Sequence, residues 1–263
     1  MTIRPEPPVA PLLAAARRLW EDLAGVPASF PPAAGAVNVV VSPESDLCPA
    51  GWVGIVTLGG SALVTAPDEH TAETVRQALR GLPVEALADA AAVRDALPVT
   101  ALLGPAALAY VSPENFRPAE ASSQVERADG HHPAVRALER TAGPEDAAEA
   151  ALDEITSPAF VLREHGDPGD PGDAVAAAGY RSWPRRTAHL SVLTAPAARG
   201  RGCARTVASA AVAHALAAGL LPQWRARPPA SRRVAAALGF EELGAQLSVE
   251  LAQDRRGVTL PPS

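Results

Sequence analysis

Lysine is absent from this 263-residue chain, so all 23 basic side chains are Arg. That excludes a P-loop, whose glycine turn is followed by Lys. Aromatic residues make up only 4% of the sequence against 48% hydrophobic residues, so the core must be built from Ala, Val and Leu, a composition that suits α/β architecture. Cysteine occurs twice, at Cys48 and Cys203, too few and too far apart for a disulfide framework or a Cys-built zinc site. Both read as small apolar residues. No apolar run approaches the length of a membrane span, and the N-terminus lacks a charged start followed by an apolar segment and a small-residue cleavage site. The expectation is a soluble, cytoplasmic protein.

One absence is local. Between Asp173 and Glu241 there is no Asp or Glu, while ten Arg fall in the same stretch: 181, 185, 186, 199, 201, 205, 225, 227, 232 and 233. The window therefore carries +10, and the 13 remaining Arg with all 29 acids leave −16 elsewhere. Solvated Arg on an Ala-rich surface accounts for most of these side chains; a local positive field for a polyanionic ligand is the functional alternative. The net charge of −6 argues against general affinity for nucleic acid or anionic membrane.

The length leads to an expectation of two units. Leu12, Leu13, Ala16, Leu19, Trp20 and Leu23 recur at helical spacing until Pro27 and Pro31-Pro32. Residues 37–41 read as a strand, 51–65 as two β-runs about Gly59-Gly60, 71–79 and 84–97 as helices, and 106–111 as a strand. The polar, Pro-containing stretch 112–133 reads as a boundary. This gives an N-terminal α/β unit over 1–128, a second unit over 129–254 and a loose tail over 255–263. Helices are expected at 134–140 and 145–154 and strands at 159–164, 174–180 and 188–194, with 165–173, rich in Asp-Pro-Gly, as an exposed loop. Ala204 to Leu216 carry an i, i+3, i+4, i+7 apolar stripe, the best-defined helix of the chain. A strand at 220–226, a helix at 231–238 capped by Ser231 and a strand at 247–251 complete the reading.

A strand, a Gly-rich turn and a helix start meet at Arg199-Gly200-Arg201-Gly202-Cys203-Ala204, and such a point suits phosphate. Gly200 and Gly202 let the backbone approach an anion. A dinucleotide fingerprint would need a third Gly or Ala where Arg205 stands and an acid some twenty residues on, and neither is present. The pattern Arg-x-x-Gly-x-Ala, after Pro196 and a strand, resembles the pyrophosphate loop of the GNAT superfamily of N-acetyltransferases. Strand 188–194 is similar to that family's central strand, and Ser231 to Phe240, ending in Leu-Gly-Phe, is similar to its late helix. The resemblance covers roughly 133–252 and implies an α/β (α+β) chain with a C-terminal GNAT-type acyl-CoA-binding fold and a mixed central sheet. The N-terminal unit then stands as a diverged half of the same fold, a wall of the substrate pocket or a homodimer surface.

The same resemblance implies transfer of an acetyl or related acyl group from acetyl-CoA to an amine by direct attack. Val192, Leu193 and Thr194 would pair with the pantetheine arm, the amides of Gly200, Arg201, Gly202, Cys203, Ala204 and Arg205 would hold the pyrophosphate, and Arg199 and Ser231 would flank the cofactor. The acceptor would be a small-molecule or peptide amine, with no nucleic acid, membrane or metal involved. Where many members carry Glu, Asn and Tyr, this chain has Gln223, Pro228 and Ala235. A carboxylate base would have to come from Glu164, the 165–173 loop or the first half. His189 is the leading alternative, because its ordinary pKa suits proton transfer near neutrality and strand alternation places it with Ser191 and Leu193. Tyr110, Tyr180 and Cys203 read as packing residues that also carry a proton, and His214 as solvent-facing. His131-His132 lacks further ligands at metal spacing. The missing Glu and Tyr leave a non-catalytic acyl-CoA-binding or sensing module as the rival reading.

Overall fold

The computed structural model describes residues 10–120, 125–164 and 172–252. Most of the expected loop at 165–173 and the expected tail at 255–263 lie outside them. In chain order the elements are α1 (Pro11–Leu23), β1 (Val37–Val41), β2 (Val53–Leu58), β3 (Ser61–Ala66), α2 (Glu69–Leu79), α3 (Ala90–Ala96), β4 (Val99–Tyr110), β5 (Val125–Ala128), α4 (Pro133–Ala142) and α5 (Pro144–Ala150). They continue with β6 (Ala159–Arg163), β7 (Ala174–Trp183), β8 (Thr187–Thr194), α6 (Cys203–Ala217), β9 (Leu221–Ala226), α7 (Pro229–Ala237) and β10 (Glu241–Leu251). The mixed α+β class expected from the sequence is borne out.

Local chemistry explains most boundaries. Gly59 and Gly60 have φ of +58° and +79°, the two left-handed positions that a tight hairpin between β2 and β3 demands. The expected helix at 84–97 is broken in two: Val84–Ala88 is a 3-10 turn, and the Asp89 carboxylate accepts from the amides of Ala91 and Ala92 to start α3 afresh. The expected helix at 145–154 stops at Ala150, because Ala151 turns left-handed (φ +46°) before a 3-10 turn at Leu152–Glu154. The polar stretch 112–133 contains β5, whose Val-Glu-Arg-Ala sequence has too little apolar content to announce a strand, yet pairs antiparallel with β6.

The chain divides into two compact units. One comprises residues 10–19 of the described chain with Ala107–Leu243; the other comprises Trp20–Ala106 with residues 244–252. The divisions fall inside α1, β4 and β10, whereas the sequence placed one at 128/129. Packing follows strand partners: Ala107 to Tyr110 pair with β9, and Gly244 to Val249 pair with β2. In the first unit the strands run β4-β9-β8-β7-β6-β5, antiparallel except for the parallel pair β8–β9. Its core is rich in Ala, with Val135, Leu138, Leu152, Val207, Val212 and Leu238 fully or almost fully buried. In the second unit β1 runs parallel to β3, which forms the hairpin with β2, and β10 lies on the other side of β2. Ile55, Val64, Val75, Leu87 and Leu247 are fully buried there. Among the described residues, no helix is long and apolar enough to cross a membrane.

Candidate functional site

The site begins where two strands part. β8 and β9 pair through only three positions, Thr187↔Leu221, Ala188↔Pro222 and His189↔Gln223. Beyond them β9 stays with β4, from Gln223↔Tyr110 to Ala226↔Ala107, and β8 stays with β7 as far as Thr194↔Ala176. Each strand thus follows its outer neighbour. From Leu190 to Thr194 the β9-facing edge of β8 has no strand partner among the described residues, and the expected pantetheine positions Val192, Leu193 and Thr194 lie along it. Unpaired backbone groups on such an edge can accept an extended, amide-bearing ligand as an added strand.

β8 leads through a short 3-10 turn (Pro196–Ala198) into Arg199 and the glycine loop. Gly200 and Gly202 have φ of +77° and +84°, and a Cβ built on either would meet nothing within 4 Å. The positive φ demands glycine, and the empty space leaves room for an anion. Gly202 is the N-cap of the 15-residue α6 without any side-chain cap, and the first turn carries no acid. The first intrahelical bond from this turn is the Thr206 amide to the Gly202 carbonyl at 3.1 Å, so the amides of Cys203, Ala204 and Arg205 precede any i−4 partner inside the helix. Cys203 is buried and packs in the core.

Folding changes the meaning of the acid-free window, because acids from outside it are brought to its arginines. Arg199 pairs with Asp146 (2.5 Å), Arg201 with Glu164 (2.8 Å), Arg181 with Glu154 (2.5 Å) and Arg232 with Glu242 (2.6 Å). Arg227 pairs with Glu149. Arg186 donates to the carbonyls of Ala218 and Gly219 and closes the end of α6. Glu164, a base candidate from the sequence, is thereby committed to Arg201. Among the described residues, no carboxylate pairs with Arg205 or Arg233, both exposed.

At the paired end of β8 the strand register assembles a row of side chains on one face: Arg181 of β7, His189 of β8, Gln223 of β9 and Tyr110 of β4 are successive cross-strand partners. His189 Nδ1 lies 2.7 Å from Gln223 Oε1, and Gln223 Nε2 donates to Tyr110 Oη at 3.2 Å. Gln223 and Tyr110 are both fully buried. The Trp183 indole, also on this face, stacks on the imidazole with centroids 4.2 Å apart and planes within 8°. The residue as a whole is partly buried, and dense protein surrounds its imidazole. Burial, reinforced by the nearby positive charges of Arg225 and Arg181 and opposed by the bond to Gln223, lowers the His189 pKa to about 4. The imidazole is therefore neutral at pH 7.

Other candidates are placed elsewhere. His214 is not turned to solvent: it lies 2.9 Å from Tyr180 Oη, its ring sits 5.5 Å from that of Phe160, and Arg127 approaches its Nε2 at 3.4 Å. Tyr180 points to this face of β7, opposite to Arg181, and burial raises its pKa. Ser231 does not cap α7, whose N-cap is Pro228; its hydroxyl accepts from the Trp224 indole at 2.9 Å. Ala235 is buried and offers no proton. His132 caps α4 through its Nδ1, and His131 lies 3.1 Å from Arg136. Sequence reading placed His189 but did not link it to Tyr110, Trp183 or Arg225, which lie between 6 and 79 positions away in the chain.

With this geometry in place the chain can be compared with known proteins. Residues 170–245 match the family model of GNAT acetyltransferases. The family expected from the loop, central strand and late helix is borne out over that segment, which holds β7, β8, the glycine loop, α6, β9 and α7. No curated protein matches the chain significantly. Among solved structures, a GNAT-family protein from Novosphingobium aromaticivorans is similar at 18% identity and a TM-score of 0.40, over 57% of this chain and 65% of its own. The chain thus spans less than two thirds of that protein. A GNAT-family acetyltransferase from Colwellia psychrerythraea is similar at 15% identity and a TM-score of 0.47, over 71% of this chain and 75% of its own. A GCN5-related N-acetyltransferase from Kribbella flavida is similar at 16% identity and a TM-score of 0.43, over 74% and 88%.

Proposed function

We propose that the protein transfers an acetyl group from acetyl-CoA to the amine of a small-molecule or peptide acceptor by direct attack. The observation that carries this reading is the parting of β8 and β9, which frees the edge at Val192, Leu193 and Thr194 and leads directly into the left-handed Gly200–Gly202 turn. An extended pantetheine arm fits the freed edge. The pyrophosphate fits the amides of Gly200, Arg201, Gly202, Cys203, Ala204 and Arg205, where the α6 dipole adds its positive end. Arg199 and Arg201 already hold carboxylates, so the first-turn arginine available to a further phosphate is Arg205.

His189 acts as the base in this reading. Its neutral imidazole takes the proton that the amine loses as its nitrogen bonds to the acyl carbon; the carbon–sulfur bond then breaks to release the CoA thiolate, which takes up that proton and leaves the imidazole neutral again. A pKa of about 4 keeps the base unprotonated throughout the physiological range, although a base that weak gives little driving force in the proton transfer. Ser231 is the least supported of the expected cofactor contacts, since its hydroxyl is held by Trp224.

The test is calorimetric titration with acetyl-CoA followed by CoA release across a panel of amines. Binding with turnover supports the reading. Binding without turnover on any amine indicates the acyl-CoA-sensing alternative. Absence of binding overturns both.

A further inference from the structure

We propose that Gln223, oriented by Tyr110, is a positioning residue that locks His189 in the tautomer with Nδ1 protonated, leaving the Nε2 lone pair as the only basic site of the ring. This rests on the reading of His189 as the base and adds the two residues that act through it.

The argument starts from what an amide can do. Gln has one accepting end and one donating end, and a buried Gln needs both engaged. The donating end of Gln223 is directed to the Tyr110 phenol oxygen at 3.2 Å, so the end left facing the imidazole is Oε1, at 2.7 Å. An acceptor at that distance requires the ring nitrogen to donate, which puts the proton on Nδ1. All three groups are cross-strand partners in neighbouring strands, so backbone pairing fixes their spacing. The stacked Trp183 ring prevents the imidazole from turning out of this plane. Against a protonated Nδ1 a flipped amide would set N–H against N–H in a water-poor interior, and full burial of Gln223 and Tyr110 makes that costly, so amide orientation and tautomer are coupled.

An amide also differs from a carboxylate. A Glu at this place would hold the tautomer equally well but would favour the imidazolium by its charge. Gln223 orients without charging. The charged groups facing His189 agree with that division: Arg225 on β9 and Arg181 on β7 both oppose protonation, and Arg181 is itself held by Glu154, which follows α5. Glu149 of α5 faces Arg225 and Arg227.

The experiment is nitrogen NMR of the full chain labelled with 15N-histidine, recorded over pH 4 to 8 for wild type, Gln223→Glu and Tyr110→Phe. Wild type is expected to show His189 with a protonated Nδ1 and a lone-pair Nε2 at pH 7. Gln223→Glu should keep the tautomer and raise the His189 pKa by at least one unit. Tyr110→Phe, which preserves the ring and its packing, should yield a mixture of tautomers. Equal tautomer populations in wild type, or a His189 titration unmoved by Gln223→Glu, would overturn the proposal. The readout needs neither cofactor nor turnover: a locked tautomer in a protein that does not bind acetyl-CoA would retain the positioning and discard the transferase reading. In a protein that turns over, Gln223→Glu should also move the acidic limb of the kcat/KM profile upward with the acetyl-CoA KM within about twofold.

Discussion

At its C-terminal end β8 offers backbone, an unpaired edge running into a glycine turn and a helix start; at its N-terminal end it offers side chains, the row of His189, Gln223 and Tyr110 with Trp183 stacked above. The backbone end depends on residues contiguous in the chain and on what glycine lacks. The side-chain end depends on residues from four strands and on which atoms face one another. In the proposed reading the acyl donor is held by the first kind of site, and the acceptor-specific chemical step falls to the second. Substitutions should therefore separate cofactor affinity from turnover.

The largest effect expected is on the side-chain end. His189→Ala should lower kcat about 100-fold, the low end of a general base's worth as suits so weak a base, while the acetyl-CoA Kd stays within about threefold. Stopped-flow or steady-state release of CoA together with calorimetry checks both halves, and equal losses in affinity and rate would erase the comparison. Next comes Gly202→Val on the backbone end. At φ +84° an L-residue is strained by about 1–2 kcal/mol, and its side chain enters the space assigned to the anion. Acetyl-CoA affinity should fall at least about tenfold, the worth of one charge-assisted hydrogen bond. Unchanged affinity in a folded Gly202→Val variant would remove the loop from the site.

A third prediction uses the His189 pKa of about 4 against an ordinary 6.5. The unfolded chain takes up a proton below pH 6.5 that the folded ring refuses until about pH 4, so this group's contribution to stability falls between those values and levels off beneath them. The loss is about 3 kcal/mol at most, because the residue is only partly buried and solvent screens part of the effect. Denaturant unfolding at pH 7 and pH 4.5 should show wild type losing more stability than His189→Gln; identical losses would mean that the ring titrates normally. The smallest effect expected is from Asp146→Asn, which frees Arg199. That pair is about half exposed on both sides, so stability should change by less than about 1 kcal/mol and acetyl-CoA should bind up to about threefold more tightly.

Legibility in the sequence followed the same division. The hairpin at Gly59-Gly60, the start of α6 and the loop at 199–204 were readable because each is set by neighbours in the chain: positive φ, helical period and unpaired first-turn amides. β5 escaped notice because Val-Glu-Arg-Ala has no apolar face to announce it, and its strand state comes from β6. The acid-free window gave a correct count of charges but not their neighbours, since Asp146, Glu149, Glu154, Glu164 and Glu242 reach five of its arginines only after folding.

By itself, then, the sequence determined the glycine turn and helix start at 199–205, the α/β alternation around them and the absence of a carboxylate or phenol at Gln223 and Ala235. Tertiary structure alone decided that β8 and β9 separate after His189, that Ser231 answers to Trp224, that His214 faces Tyr180, and that Gln223 and Tyr110 stand behind the imidazole. The physical reason is range. Backbone conformation and helix dipoles arise within a few residues, whereas hydrogen-bond partners, burial and pKa arise from groups that only strand pairing brings together.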